Sequence, residues 1–275
     1  MTPAPIRVAG HFGELMQGRI GPGGPVVLIS LPCPSLSVSA LHMPGAGFAI
    51  HGAGQRLITP ERARRFLNDL GVDLHGRVAL RADMPAGGGA GASTASLVAL
   101  ARLAGAKTSP DDLARACIRA EGASDPLMFA APEQMLWASR LGRNMAPLPP
   151  LPRFDVIGGF FGPHRRTEAR DATFPDIADL IKPWVKAATI GDAAALAALA
   201  STSARRTLKL RGPSGDPTEA LAEKLGAAGF AIAHTGSARA LLFPAQRIAD
   251  TAIPMLRAAG FRQVVRFSIG GKGKT

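Results

Sequence analysis

The chain has no tyrosine, two tryptophans and two cysteines among its 275 residues. Cys33 and Cys117 stand far apart and form no CxxC pair, which speaks against a disulfide framework or a zinc site and fits a reducing compartment. Long apolar runs are also missing. The most apolar early stretch, Val26–Leu31, stops at Pro32, far short of the roughly 20 residues that a membrane span needs. The opening Met1-Thr2-Pro3-Ala4-Pro5 lacks the charged and apolar stretches of a signal peptide. A soluble, cytoplasmic protein with no membrane partner is expected.

Hydrophobic residues make up 47% of the chain and are dispersed, so a proper core can form. The formal charge of +12 raises the question of nucleic acid. The basic residues fall only into short clusters: Arg62, Arg64 and Arg65; Arg165 and Arg166; Arg205, Arg206, Lys209 and Arg211; Lys272 and Lys274. No aromatic-interleaved basic stretch, zinc-finger spacing or RNA-binding signature goes with them. A general attraction for anionic small molecules such as ATP accounts for the charge more simply.

The first part of the chain reads as strands and turns. Ile6–Ala9, Val26–Leu31 and Ser35–Ala40 have strand character, and Gly21–Pro25 is a turn cluster. Thr59-Pro60-Glu61 has the order of a helix start, followed by Arg62–Leu70 and closed by Gly71. Arg77–Ala82 is a strand, Ser93–Ala104 an apolar helix ended by Gly105, and Ser109-Pro110-Asp111-Asp112 opens a helix that runs to about Glu121. Prolines 147, 149, 150 and 152 mark a domain boundary, dividing the chain into residues 1–150 and 151–275. Beyond it, strands are expected at Phe154–Phe161, Gly229–Ala233, Ala238–Phe243 and Gln263–Phe267. Helices are expected at Phe174–Ala187, Asp192–Ser203, Pro217–Ala228 and Arg247–Ala259. The pattern is α+β, with helices covering one face of an antiparallel sheet.

The segment richest in chemistry is Pro85-Ala86-Gly87-Gly88-Gly89-Ala90-Gly91-Ala92-Ser93-Thr94-Ala95, between a predicted strand and a predicted helix. Glycines let the backbone approach a ligand, and a helix start offers free N–H groups and the positive end of a dipole. This is an anion site suited to phosphates, and the hydroxyl of Ser93 or Thr94 can ligate Mg²⁺ beside them. A dinucleotide fingerprint fits loosely through Gly87, Gly89 and Ala92, but the acids about 20 residues on, Asp111 and Asp112, open a helix rather than end a strand. A P-loop needs a lysine that this segment lacks. The chain-end Gly273-Lys274-Thr275 has half of that motif, with Ser268 where its first glycine belongs and no helix to follow. A flexible Gly/Ala turn is the remaining alternative for the loop taken alone.

In context, PAGGGAGASTA resembles the PxxxGLGSSAA phosphate loop of the GHMP kinases, through Pro85, Gly89, Gly91, Ser93 and Ala95. Ala92 replaces that motif's first serine and Ala90 its usual large apolar residue. Gly10-His11-Phe12-Gly13-Glu14-Leu15-Met16-Gln17-Gly18 is similar to the GxxGELxQG opening of the propanediol-utilisation type of L-threonine kinase. Glu121–Phe129 resembles that subfamily's E-P-[ST]-D-x-x-M-[FY] segment, and Ala233-His234-Thr235-Gly236-Ser237 its AH[ST]G[ST] motif. Two departures stand out: Ser96 replaces an aspartate frequent in the subfamily, and the opening motif lacks the basic residue of several GHMP kinases.

The resemblance implies a two-domain fold, a ribosomal-protein-like βα domain followed by a ferredoxin-like one, with the site in the cleft between them. It implies transfer of the ATP γ-phosphoryl group to L-threonine, whose product feeds the aminopropanol linker of cobalamin. Backbone amides from Gly87 to Ser93 would cradle the phosphates, and Ser93 and Glu121 would serve Mg²⁺. Asp125 would receive or orient the hydroxyl proton, Glu14 would lie near the substrate ammonium, and His234, Thr235 and Gly236 would shape the substrate side. Lys209 or Arg211 would meet a substrate carboxylate. Another small hydroxyl compound such as homoserine, or a non-catalytic nucleotide- or nucleic-acid-binding role, are the competing readings.

Overall fold

Period-two patterning in the first forty residues builds two long strands, β1 (Ile6–Arg19) and β2 (Val26–Met43), paired antiparallel around the expected turn. In this computed structural model, residues 4–165, 168, 170–244 and 248–271 are described. Arg166, Arg247, Lys272 and the chain-end Gly273-Lys274-Thr275 lie outside the described residues. The first strand continues past Ala9 through the whole GHFGELMQG segment. β2 joins the two expected strands across Pro32 and Pro34. Prolines are tolerated there because the other edge of β2 is paired only at Leu28 and from Val38 onward, so no ladder N–H is lost.

The remaining elements follow in order as β3 (Phe48–His51), α1 (Pro60–Asp69), β4 (Gly76–Ala82), α2 (Ala92–Leu103) and α3 (Pro110–Glu121). Then come β5 (Met135–Ala138), β6 (Arg143–Pro147), β7 (Phe154–Phe160), α4 (Ala178–Thr189), α5 (Ala193–Arg211) and α6 (Thr218–Lys224). The last are β8 (Gly229–Ile232), β9 (Ala238–Pro244), α7 (Ala252–Ala258) and β10 (Arg262–Ile269). One sheet runs β10-β7-β9-β8-β1-β2-β4-β3, with β5 beside β2 and β6 beside β5. Its pairings are antiparallel except for β3 with β4.

The helix starts read from sequence hold at α1 and α3. The Thr59 hydroxyl accepts from the Arg62 N–H at 3.3 Å and the Ser109 hydroxyl from the Asp112 N–H at 3.1 Å, each with proline in the first turn. Other boundaries moved. The helix expected from Phe174 begins at Ala178, because Phe174 precedes Pro175 and is steered away from helical ψ. α5 runs eight residues past Ser203 to Arg211. The strands β3, β5 and β6 are short and carry too little alternation to have been expected.

α2 is buried on nearly every side, as its uniformly apolar sequence requires, and packs on β1 and β2. α5 packs on β8 and β1. The main core joins the two halves of the chain through Phe12, whose ring lies 5.2 Å from that of Phe160 and 5.9 Å from that of Phe267. Both cysteines are free and buried. Among the described residues, no helix is long and apolar enough to cross a membrane.

Candidate active site

The glycine-rich loop joins β4 to α2 and is held from outside by its own carbonyls. The Gly87 carbonyl accepts from the Arg165 N–H at 2.9 Å, and that of Gly88 accepts from Ser237 and Ala238, each at 2.9 Å. The Gly89 carbonyl accepts from the Gly13 N–H at 3.0 Å and that of Ala90 from the His11 N–H at 3.2 Å. The Gln55 carboxamide braces the loop's entry, accepting from the Ala86 N–H at 2.8 Å and donating to the Met84 carbonyl at 3.2 Å. The opening motif and the AHTGS motif therefore clamp the loop from two sides.

Helix α2 starts from Gly91 in the left-handed region (φ 73°) with no side chain on its cap. Its first internal bond runs from the Ala95 N–H to the Gly91 carbonyl, 2.8 Å, so the amides of residues 92–94 face out of the helix end. They open on a cavity of about 250 Å³ lined by Pro85–Thr94 together with Glu121, Asp125, His11, Glu14 and His234. A helix end with outward-facing amides thus stands where the sequence reading expected an anion site.

Ser93 does not cap its helix. Its hydroxyl meets the Glu121 carboxylate at the end of α3, and the Arg62 guanidinium lies 3.7 Å from the same carboxylate. The two side chains expected to serve Mg²⁺ are thus in contact beside the helix terminus, and both offer the hard oxygen donors that the ion prefers.

Asp125 sits across the cavity. Its N–H donates to the Thr94 hydroxyl at 3.3 Å, tying it to the first turn of α2. Its loop is fixed by Ser124, whose N–H donates to the Ser139 carbonyl at 2.8 Å and whose carbonyl accepts from the Trp137 indole at 2.7 Å. The Asp125 carboxylate faces His11, 3.3 Å from Nε2.

His11 is the main residue that the sequence reading passed over. It occupies a variable slot of the opening motif, flanked by Gly10 and by Phe12, which goes to the core. The ring is 2% exposed, its Nδ1 lies 2.9 Å from the Gly13 carbonyl, and Glu14 Oε1 is 3.9 Å away. Burial opposes its charge, but Asp125, the hydrogen bond to it, Glu14 and the Gly13 carbonyl outweigh this and raise its pKa to about 9. At neutral pH it is an imidazolium, so the opening motif does contain a cation. For Asp125, burial works upward, yet His11 and the Thr94 hydroxyl keep it below the usual carboxylate range. Burial raises the Glu14 carboxyl to about 7, with His11 opposing the rise and Asp125 adding to it. The ligand atoms of His11, Glu14 and Asp125 lie within 4.8 Å of one another, a spacing that would also admit a cation.

Gly13 explains the bend that makes this possible. Its φ is 74°, and a Cβ there would lie 2.7 Å from the Ala233 nitrogen and 2.8 Å from the Ile232 carbonyl carbon. At this bulge β1 touches β8 through one pair, Glu14 with Ile232, and Glu14 Oε2 accepts the His234 N–H at 3.2 Å.

On the far side, the His234 ring stacks on Phe174 with centroids 3.9 Å apart. Arg211 Nη1 lies 2.7 Å from His234 Nδ1 and 2.6 Å from the Asp171 carboxylate. Burial and then the Arg211 charge lower the His234 pKa to about 3, so the ring is neutral. Of the two cations considered for a carboxylate, Arg211 is beside the cavity wall and Lys209 is exposed on α5. Thr235 lines the cavity. Gly236 packs against the glycine-rich loop itself: a Cβ there would lie 2.3 Å from the Gly89 nitrogen. Ser96 is fully buried and donates to the Ala92 carbonyl within α2, so this departure from the subfamily pattern faces the helix.

A family model of the GHMP kinases N terminal domain matches residues 59–131, from the cap of α1 past Asp125. Solved structures share the fold over nearly the whole chain. The L. major mevalonate kinase, in complex with R-mevalonate, is 14% identical over 98% of this chain and 97% of that chain, with a TM-score of 0.69. The homoserine kinase from Cytophaga hutchinsonii is 18% identical over 98% and 96%, with a TM-score of 0.64. The Streptococcus pneumoniae phosphomevalonate kinase, in complex with phosphomevalonate and AMPPNP, is 10% identical over 96% and 100%, with a TM-score of 0.64. No curated protein sequence matches significantly. The mixed α/β fold with its curled sheet is that of the GHMP kinase structures, as the sequence led one to expect.

Proposed function

We propose that the chain is an ATP- and Mg²⁺-dependent kinase of a small hydroxyl compound, with L-threonine as acceptor and O-phospho-L-threonine as product. The observation that carries the kinase reading is the shared cavity. A helix terminus and glycine loop suited to phosphates face the Asp125 carboxylate and the buried His11 beside it, with the Ser93–Glu121 oxygens at the cavity edge. The division into residues 1–150 and 151–275, with the cavity between the lobes, belongs to the same proposal.

Mg-ATP, when bound, supplies the γ-phosphoryl group. The amides of Gly87–Ser93, in the loop Pro85–Thr94, hold its phosphates, and Ser93 and Glu121 hold the metal. Asp125 accepts a hydrogen bond from the acceptor hydroxyl, aims the oxygen and takes its proton late, as a loose transition state permits even to a carboxylate of low basicity. His11 keeps Asp125 ionised and places a positive charge beside the reacting oxygens. Glu14, His234 and Thr235 bound the acceptor, and Gly236 fixes the wall on which the last two stand.

The choice of L-threonine rests on the likeness of Gly10–Gly18, Glu121–Phe129 and Ala233–Ser237 to the threonine-kinase motifs. L-Homoserine is the second candidate, favoured by the shared fold with the C. hutchinsonii homoserine kinase. The test is ADP release from Mg-ATP with L-threonine, L-serine and L-homoserine in turn. L-Threonine is expected to give the highest kcat/KM, and Asp125→Asn to lower kcat by about 10²-fold without loss of nucleotide binding. Full turnover in both Asp125→Asn and Ser93→Ala would remove the site assignment. Salt-sensitive RNA binding with no ATP turnover would remove the kinase.

A further inference from the structure

Two buried polar atoms on the acceptor side have no hydrogen-bond partner among the described residues: His234 Nε2 and Gln17 Oε1. Both residues line the cavity that holds Asp125. A buried polar group left unpaired is costly, so a ligand that completes the pair recovers that cost.

The chemistry of the His234 atom is set by its neighbour. The Thr173 carbonyl also contacts the ring, but Arg211 can only donate, and its Nη1 lies 2.7 Å from His234 Nδ1, which assigns Nδ1 as the acceptor. The ring proton therefore resides on Nε2, which makes this atom a donor in search of an acceptor. The charge around it is positive. Arg140 lies over Phe174 at 5.4 Å, close enough to Arg19 for mutual repulsion, and Asp171 is taken up by Arg211. Gln17 Oε1 is the opposite case, a carbonyl in search of a donor. It stands on β1 three residues after the Glu14 carboxyl, on the acidic side of the cavity.

We infer that His234 and Gln17 are the specificity-determining pair of the acceptor site: His234 Nε2–H donates to a carboxylate, and Gln17 Oε1 accepts from an ammonium. This rests on the kinase reading above and narrows it. The acceptor is a hydroxylated amino acid with both α-groups free, not a hydroxy acid or an amino alcohol. Sites built around hydrogen-bonding groups reject analogues that lack the partner, because their own groups are then left unpaired.

Three probes separate the two contacts. L-Threonine carries both groups, 3-hydroxybutanoate lacks the ammonium and 1-aminopropan-2-ol lacks the carboxylate. The wild-type chain is expected to lose at least about tenfold in kcat/KM with either truncated compound. Gln17→Met should lose about tenfold with L-threonine but nothing with 3-hydroxybutanoate. His234→Asn keeps an acceptor for Arg211 and removes the Nε2 donor. It should lose a similar factor with L-threonine and nothing with 1-aminopropan-2-ol, while His234→Gln, which reaches the Nε2 position, restores part of the loss. Mg-ATP affinity and near-UV circular dichroism report folding independently. Folded variants that bind nucleotide and keep the wild-type ratios among the three compounds would overturn the inference. If no compound supports ATP turnover, the kinase reading falls. The pair is then judged by calorimetry with L-threonine, where undiminished binding in both variants overturns it and tenfold weaker binding sustains it.

Discussion

Glu14→Gln should make the protein more stable at pH 8 and leave it nearly unchanged at pH 4.5. Glu14 is 8% exposed, and burial raises its carboxyl from the ordinary 4.5 to about 7. A carboxyl whose folded pKa lies above its unfolded one holds its proton more tightly in the native state. Stability then falls as pH rises from about 4.5 to 7 and stays low above that. The two values correspond to a penalty on the order of 3 kcal/mol at pH 8 and a few tenths at pH 4.5. Glutamine keeps the oxygen that accepts the His234 N–H and removes the charge. For a chain of this size, about 3 kcal/mol is roughly 6–12 °C in Tm. The assay is thermal unfolding of wild type and variant at both pH values, with urea midpoints as a second measure. A variant less stable at pH 8, or a difference that does not depend on pH, would refute the reasoning. A substitution that stabilises while lowering turnover would also mark Glu14 as a residue kept for function at a cost in stability.

Two further outcomes follow from the same cavity. His11 has its pKa raised to about 9, so the imidazolium is present at neutral pH and lost as pH rises through that value. The kcat profile should fall there, and His11→Asn should lower kcat by roughly 10²-fold and move the acidic limb to higher pH, because Asp125 loses the charge that keeps it ionised. Gly236→Ala would push a methyl to 2.3 Å from the Gly89 nitrogen and 2.4 Å from the Gly88 carbonyl carbon, both backbone atoms that cannot rotate away. Nucleotide titration should show at least about tenfold weaker Mg-ATP binding, with a loss of about 1–3 kcal/mol in stability.

What could be read from the sequence was whatever is encoded locally. The caps of α1 and α3, the loop between β4 and α2, and the other three motif segments each depend on neighbours a few residues apart. What could not be read depends on where distant strands meet. His11 has no local mark of function; it becomes an imidazolium only because the bulge at Gly13 turns it toward Asp125, more than a hundred residues away. Phe174 was assigned to a helix, and Pro175 instead frees it to stack on His234. Lys209 and Arg211 were equivalent in sequence, and only the extension of α5 separates a solvated lysine from an arginine that sets the tautomer of His234.

The glycines of the motifs have a different reason for being where they are than a phosphate-binding role alone implies. Gly13 and Gly236 permit backbone to meet backbone, Gly13 against Ala233 and Gly236 against Gly89. Those approaches bring the His11, Gly13, Ser237 and Ala238 amides onto three successive loop carbonyls, from Gly88 to Ala90. A loop with its carbonyls engaged on the outside keeps its shape without a ligand, so its amides need little rearrangement when an anion arrives. The same two clamping segments carry His11, Glu14, Gln17 and His234. The contacts that stiffen the glycine-rich loop therefore also set the position of the proposed acceptor residues, and a change at either glycine should disturb both together.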